Sequence, residues 1–393
     1  MTTQTPPASG LLVVAVDRLP AWIVPAFGAT WVAMPALDNL AARGIVFDRV
    51  ITTTDDAGAT LRDLLGADGA EVVRAAAARG WPTALVTDDA TAAVAGADTI
   101  RVVAGPKAAP EHDADATCLA RLFAAAHDVV AAGGHRLVIV HATSLGTCWD
   151  APAEFRDAYV DADDPPPPPG AEVPDFDVAA DADPDLLVGI RQAYAGQLTL
   201  LDRCLGRVIA AAGAAGWTVL VAGLRGLALG LHGHVGQGGA APFGELVHVP
   251  AIIADPAGGM AGQRFGGLVV PADLGATLAE IVGGAAPTAG EPPWHGTSVA
   301  GLFAAWIAPR RDRVVAVTRG GVAIATPAWH CVAERSRVRL FAKPDDYFEL
   351  CDVADRCPDV VDELAAVAAV AAAGDGSRAW RATLSEPAVS GTG

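Results

Sequence analysis

The residues of this 393-residue chain that can do chemistry sit in short polar interruptions between apolar runs. Asp17-Arg18 follows Leu11–Val16, and Thr87-Asp88-Asp89 follows Thr83–Val86. Thr143 to Cys148 follows Leu137–His141, and Gly223-Leu224-Arg225-Gly226 follows Thr218–Ala222. Asp55-Asp56, His232-Gly-His234 and Gln237 complete the set. Two chemistries can be assembled from it. Asp17, Asp55, Asp56, Asp88 and Asp89, with His232 and His234, offer oxygen and nitrogen ligands for a cation such as Mn²⁺ or Zn²⁺. Arg18 and Arg225, if both reach one cleft, offer guanidinium groups for a carboxylate or sulfate. Plainer roles compete with both. Carboxylate pairs ahead of helical stretches act as N-caps, and two histidines in a glycine-rich loop can simply brace it.

Several other chemistries are excluded. No G-x-G-x-x-G follows the first apolar run, and there is neither a G-x-S-x-G elbow nor a P-loop. Cys118, Cys148, Cys204, Cys331, Cys351 and Cys357 form no C-x-x-C pair. Their scatter suits reduced thiols rather than a disulfide framework, a zinc site or a haem or iron–sulfur site.

The elements that must position these residues alternate in type. Runs rich in Val, Ile and Leu (Leu11–Val16, Thr83–Val86, Leu137–His141, Thr218–Ala222, Pro250–Ala254) read as strands buried on both faces. Alanine-rich helices separate them, at Met34–Arg43, Ala70–Arg79, Ala116–Ala132 and Leu187–Ala214. That order predicts a parallel α/β sheet whose ligands bind beyond the strands' carboxyl ends. Residues 161–185 form an acidic excursion with five prolines at Pro165–Pro169, read as a solvated polyproline-like spacer. After Gly284 the runs Val314–Val317, Val322–Thr326 and Val338–Phe341 alternate as antiparallel strands, and a helix is expected from Pro358 to Ala372. Two units follow: an α/β domain over 1–285 and a C-terminal α+β subdomain over 286–393, with a frayed tail from Leu384.

Composition bounds the class. The chain is 52% hydrophobic, 18% charged and 6% aromatic, which is enough apolar matter for a large core. Its apolar runs fall short of the roughly 20 residues that cross a bilayer. A net charge of −18 argues against a phosphate backbone as partner. The N-terminus shows neither a basic n-region nor a separate apolar h-region, so a cytoplasmic location is expected.

Taken together, the elements resemble the sulfatase branch of the alkaline-phosphatase-like hydrolases. Met34-Pro-Ala-Leu-Asp-Asn-Leu-Ala-Ala-Arg-Gly-Ile-Val-Phe47 is similar to the family's "TPNLDRLAxxGxxF", and Gly80-Trp-Pro-Thr-Ala-Leu-Val86 to the start of "GYxTxxxGKWH". Tyr194 to Asp202 with Gly206 resembles "YxxxxxxxDxxxG". Leu229-Gly-Leu-His-Gly233 with His248-Val-Pro250 resembles "GEHG…VP". Val270 to Leu278 is similar to "DLxPTLL", Trp294 to Ser298 to "xDGxSL", and Tyr347 to Asp352 to "ELYDL". The matches run in the family's order over nearly the whole chain. The resemblance implies a three-layer α/β sandwich with a mostly parallel sheet.

It also implies a divalent cation on acidic residues and a formylglycine nucleophile, and there the chain departs. Ala57 stands at the family's cysteine and Leu61 at its arginine, with Thr60 as the nearby hydroxyl. The second acid of the first strand end is Arg18, and the anion-binding lysine is Asp88. Thr147-Cys-Trp-Asp150 lacks the "PH" histidine. Leu224 and Arg225 replace the metal-binding pair of "SDHG", and Gln237 replaces a lysine. Asp17 and His232 remain. The expectation is a sulfatase-like pseudoenzyme, a binding, structural or regulatory protein with no catalytic residue and no cofactor. Its partner would be another protein or a second copy, not nucleic acid or membrane. The competing expectation is a metal-dependent sulfuric or phosphoric ester hydrolase rebuilt on the Asp55, Asp56, Asp88 and Asp89 carboxylates.

Overall fold

A computed structural model describes residues 9–66, 69–105, 110–259, 261–283, 296–301 and 311–374, with 379 and 384. The boundary expected at 285/286, Trp294, His295 and the chain beyond Leu384 lie outside the described residues. Five strands run parallel in one sheet: β1 (Leu11–Val16), β3 (Thr83–Thr87), β4 (Thr99–Val102), β5 (Leu137–Ala142) and β7 (Thr218–Gly223). Their order is β7-β1-β5-β3-β4. Every residue of β1, β3, β5 and β7 is buried, which is why their sequences read as continuous apolar runs. Alternate residues serve opposite layers. Leu12, Val14 and Val16 enter the core with α1 (Pro35–Arg43), α4 (Cys118–Ala131) and α6 (Pro184–Ala214), while Leu11, Val13 and Ala15 enter the core with α2 (Ala57–Leu64), α3 (Glu71–Ala78) and α8 (Pro271–Val282).

The other side of the sheet is mixed. β11 (Ala251–Ala254), expected among the parallel strands, lies antiparallel between β7 and β2 (Ile45–Ile51). β10 (His248–Val249) pairs antiparallel with β2, and β12 (Gln263–Val269) pairs parallel with it. Residues 224–250 join β7 to β11 with no helix longer than the four-residue Gly244–Val247, whereas a parallel crossover is usually made through a helix. A separate four-stranded antiparallel sheet follows: β13 (Val314–Thr318), β14 (Gly321–Ala325), β15 (Trp329–Ala333) and β16 (Val338–Ala342). The final helix, Pro358–Ala372, packs on it through Leu364, Val367, Ala368 and Ala371. No helix of the described residues is long and apolar enough to cross a membrane.

The Tyr194–Gly206 pattern on α6 acquires a physical meaning here. The Tyr194 hydroxyl donates to the backbone carbonyl of Arg18, the residue just past β1. Asp202 accepts from the amides of Ala36 and Leu37 at 2.8 and 2.9 Å, capping α1, whose own N-cap, Met34, has no side-chain acceptor. At Gly206 a Cβ would sit 3.3 Å from that of Ala36, so the glycine allows the two helices to approach. Burial raises the Asp202 pKa to about 6, against the two amides. Replacing Asp202 with Ala leaves both amides unpaired and costs about 2 kcal/mol of unfolding free energy. Asp202→Asn keeps an acceptor without the buried charge and loses much less above pH 6, as urea denaturation of the two variants will show.

Candidate functional site

The carboxyl ends of β1, β3, β5 and β7 bring the sequence candidates to one face. Asp17 directly follows β1, and Leu224 and Arg225 follow β7, whose last residue, Gly223, is level with Val16. Arg225 Nε and Nη2 donate to Asp17 Oδ1 and Oδ2 at 2.6 and 3.0 Å, a bidentate pair with side chains 14% and 4% exposed. Arg225 Nη1 donates to the carbonyl of Asp55 at 2.7 Å. The guanidinium is therefore engaged on all three nitrogens and does not share an anion with Arg18 as the sequence suggested. Arg18 sits at φ 58°, in the left-handed region. Its guanidinium covers Gly146, where a Cβ would lie 1.1 Å from Arg18 Nη1. It approaches Asp17 Oδ2 no closer than 3.6 Å.

The remaining carboxylates are committed to the backbone or to other side chains. Asp88 Oδ1 accepts from the amide and hydroxyl of Thr143 at 2.7 and 2.8 Å, and Oδ2 from the amide of Ser144 at 3.0 Å and from its hydroxyl. Asp89 closes a turn on the amide and hydroxyl of Thr91. Asp56 caps α2 through the amide of Ala59 at 2.8 Å. Asp55 accepts from Arg319 Nε at 2.9 Å, a residue of the β13–β14 turn. Ala57 opens α2, and Leu61 and Leu224 are buried in the same core cluster. Thr60 is buried and gives its hydroxyl to the carbonyl of Asp56 at 3.1 Å.

The glycine-rich loop supplies two braced imidazoles. His232 Nδ1 lies 2.8 Å from Glu245 Oε1, and Nε2 lies 3.1 Å from the carbonyl of Glu349. Both partners are acceptors, which favours the doubly protonated ring. Burial opposes that charge, but Glu245 and the Glu349 carbonyl outweigh it and hold the pKa above the ordinary histidine value. The ring stacks on Phe243 at 3.7 Å, and Arg339 lies over the same ring at 4.3 Å. His234 lies between two residues of the acidic excursion, with Nδ1 2.8 Å from Asp177 and Nε2 3.4 Å from Asp175. Gln237 Nε2 donates to the carbonyl of Gly226 at 3.0 Å.

The excursion is mostly solvent-exposed, as expected, but it is tethered to the domain and is not a free spacer. β6 (Phe176–Asp177) pairs with β9 (His234–Gly236), and Arg156 Nη1 donates to the carbonyls of Pro168 and Gly170 at 2.8 and 2.9 Å. Glu245, Glu349, Arg319, Asp175 and Asp177 escaped sequence reading because none follows a strand of the main sheet. His141 also escaped, hidden inside an apolar strand. It is buried, its Nδ1 is 3.1 Å from Thr87 Oγ1, and its Nε2 has no partner among the described residues. Burial pushes its pKa down, against the pull of Asp88, Asp17 and Asp89.

These residues do not fit a divalent cation. Asp17 and Asp88 spend both oxygens on donors, Leu224 cannot coordinate, and Arg225 places a positive charge on the one carboxylate the family pattern retains. A hard cation needs six or more oxygens, or an octahedral shell. Among the described residues, Cys118, Cys148 and Asp150 are the group whose ligand atoms converge, lying within 4.8 Å of one another. Thirty positions separate the two cysteines, so their spacing concealed the pairing.

No protein-family model matches the chain, and no curated protein sequence does. Solved structures do. The phosphonate monoester hydrolase of Agrobacterium radiobacter superposes with TM-score 0.72 at 18% identity, covering 96% of each chain. That of Silicibacter pomeroyi gives 0.71 at 16%, over 94% of this chain and 96% of the other. A 2-O GAG sulfatase gives 0.71 at 18%, over 94% of each. At such identities the likeness is one of fold, and this chain has the sulfatase-like α/β fold with a small antiparallel C-terminal sheet.

Because Asp17 is buried against Arg225, Arg225→Met strands its charge and costs about 3–5 kcal/mol. Asp17→Leu with Arg225→Met removes both charges and loses less than the single change in chemical denaturation. An NMR titration places the His232 pKa above the ordinary value of about 6.5. The stability it contributes is then full below that value and falls as pH rises through the folded pKa, a loss absent in His232→Gln.

Proposed function

We propose that this chain is a non-hydrolytic binding protein on a sulfatase-like scaffold, holding an anionic group in its cleft without cleaving an ester. One observation carries the reading: the Arg225 guanidinium is bidentate on Asp17, the carboxylate on which the resemblance places a metal. Ester hydrolysis of an anion needs cationic stabilisation of the transferring group and a strong nucleophile beside it. Ala57 offers a methyl group, and the Thr60 hydroxyl faces its own helix. Arg18 is the cation left for a ligand, since its side chain is 19% exposed and makes no short contact with a carboxylate. Arg319, largely exposed, pairs with Asp55, whose backbone carbonyl accepts from Arg225. A protein that acts by binding needs a recipient, either a second copy or another protein chain.

Purified protein exposed to Ca²⁺, Mg²⁺ or Mn²⁺ and then desalted retains less than about a tenth of an equivalent by elemental mass spectrometry. It turns over neither aryl sulfates nor aryl phosphates. Sulfate raises its melting temperature, and Arg18→Ala removes that increase. Near one equivalent of metal, lost in Asp17→Ala, would instead establish the rebuilt ester hydrolase.

A further inference from the structure

A cavity of about 560 Å³ lies where β2, β10 and β12 meet the four-stranded sheet. That volume is in the range of small-molecule sites, roughly 300–1,000 Å³. Its walls are largely apolar and aromatic. The His248 ring stands edge-on to Phe27 and Tyr347, with centroids 6.5 and 5.9 Å away, and Ile51, Pro327 and Pro344 add apolar lining.

The charges around this cavity do not cancel. Lys343 Nζ pairs with Glu349 Oε1 at 3.0 Å, and Arg264 pairs with Asp48. His248 gives its Nε2 proton to the carbonyl of Asp48 at 2.8 Å, and burial drives its pKa down to about 4, so it is neutral. His330, at 3.1 Å from the carbonyl of Pro242, is likewise buried with a lowered pKa. Arg49 remains. It donates to the carbonyls of Pro327 and Thr326 at 2.9 and 2.5 Å, and no carboxylate among the described residues pairs with it. A guanidinium has five N–H donors, so three are left after those two bonds. Tyr347 also lines the cavity, and its hydroxyl is buried without a partner among the described residues.

We propose that this cavity binds a small organic carboxylate, its anion on Arg49 and its ring or apolar body against Phe27, His248 and Tyr347. One uncompensated positive charge matches a monoanion, and the planar guanidinium edge matches a carboxylate. Asp48 and Glu349 on the same walls disfavour a dianion. The site is separate from Arg18 and is independent of whether the cleft holds an ester or hydrolyses one.

The test uses the full chain and saturation-transfer NMR with benzoate, phenylacetate and cyclohexanecarboxylate, each beside its neutral amide, and with phenyl phosphate. The carboxylates give transfer, and the amides bind at least tenfold more weakly. Arg49→Gln, which can keep a bond to one loop carbonyl, weakens the carboxylates tenfold or more. Gly266→Phe provides a second variant that leaves Arg49 untouched. Gly266 lines the cavity, and a Cβ there meets no atom within 4 Å, so an added ring has room at the cavity wall. It abolishes transfer while the melting temperature holds. Absence of transfer from every carboxylate, equal binding of the amides, or binding that survives Gly266→Phe would overturn the site. Tighter binding of phenyl phosphate would overturn the carboxylate assignment.

Discussion

Two charges buried together at the strand ends, Asp17 and Arg225, constrain everything around them. Neither tolerates that environment without the other, because an unpaired buried ion keeps its full desolvation penalty. Their pairing locks the exit of β1 to the exit of β7. The third nitrogen of Arg225 then fixes the carbonyl of Asp55, and the Asp55 carboxylate holds Arg319 of the four-stranded sheet. Val317 of β13 donates its amide to the carbonyl of Thr53, two residues away in the same loop. One ion pair thus sets the path of the Thr52–Asp56 loop and the seat of the C-terminal sheet.

The residues that resemble a sulfatase are those with a packing duty. Tyr194 holds the Arg18 backbone, Asp202 caps α1, and Gly206 lets α6 approach it. Asp273 on α8 accepts from the amides of Val270 and Thr297 at 2.9 and 2.6 Å and from Arg311 at 2.6 Å. Each answers a constraint of the scaffold that holds whether or not an ester is cleaved. The strand ends depart from the family pattern. There the side chains form contacts of their own: Leu61 and Leu224 pack in a core, and Asp88 staples Thr143 and Ser144.

The loop histidines show how a charged cleft can be stable without a bound cation. Glu245 and the Glu349 carbonyl favour the protonated form of His232, and Phe243 presents its ring face to it and to Arg339. Glu349 itself lies at φ 58° and accepts from the amide of Gly244 at 2.7 Å. Burial alone would raise its pKa, but Lys343 and that amide help to hold it low. Carboxylate, imidazole and guanidinium neutralise one another here across elements far apart in the chain.

How much of this is legible in the sequence follows from the range of each interaction. β1, β3, β5 and β7 are legible because burial on both faces demands unbroken apolar runs. β4 is not, since all four of its residues are exposed at the sheet edge, nor is β12, with Gln263, Arg264 and two glycines. Residue types alone establish that Ala57 cannot be a nucleophile and that Leu224 cannot bind a metal, since neither carries the necessary atom. What Asp17 and Arg225 do for each other is a different kind of fact. They are 208 residues apart, and only the order β7-β1-β5 makes them neighbours. Local pattern determines which segments become strands and which side chains are available. Sheet order, set by burial of whole faces, decides which charges must pair.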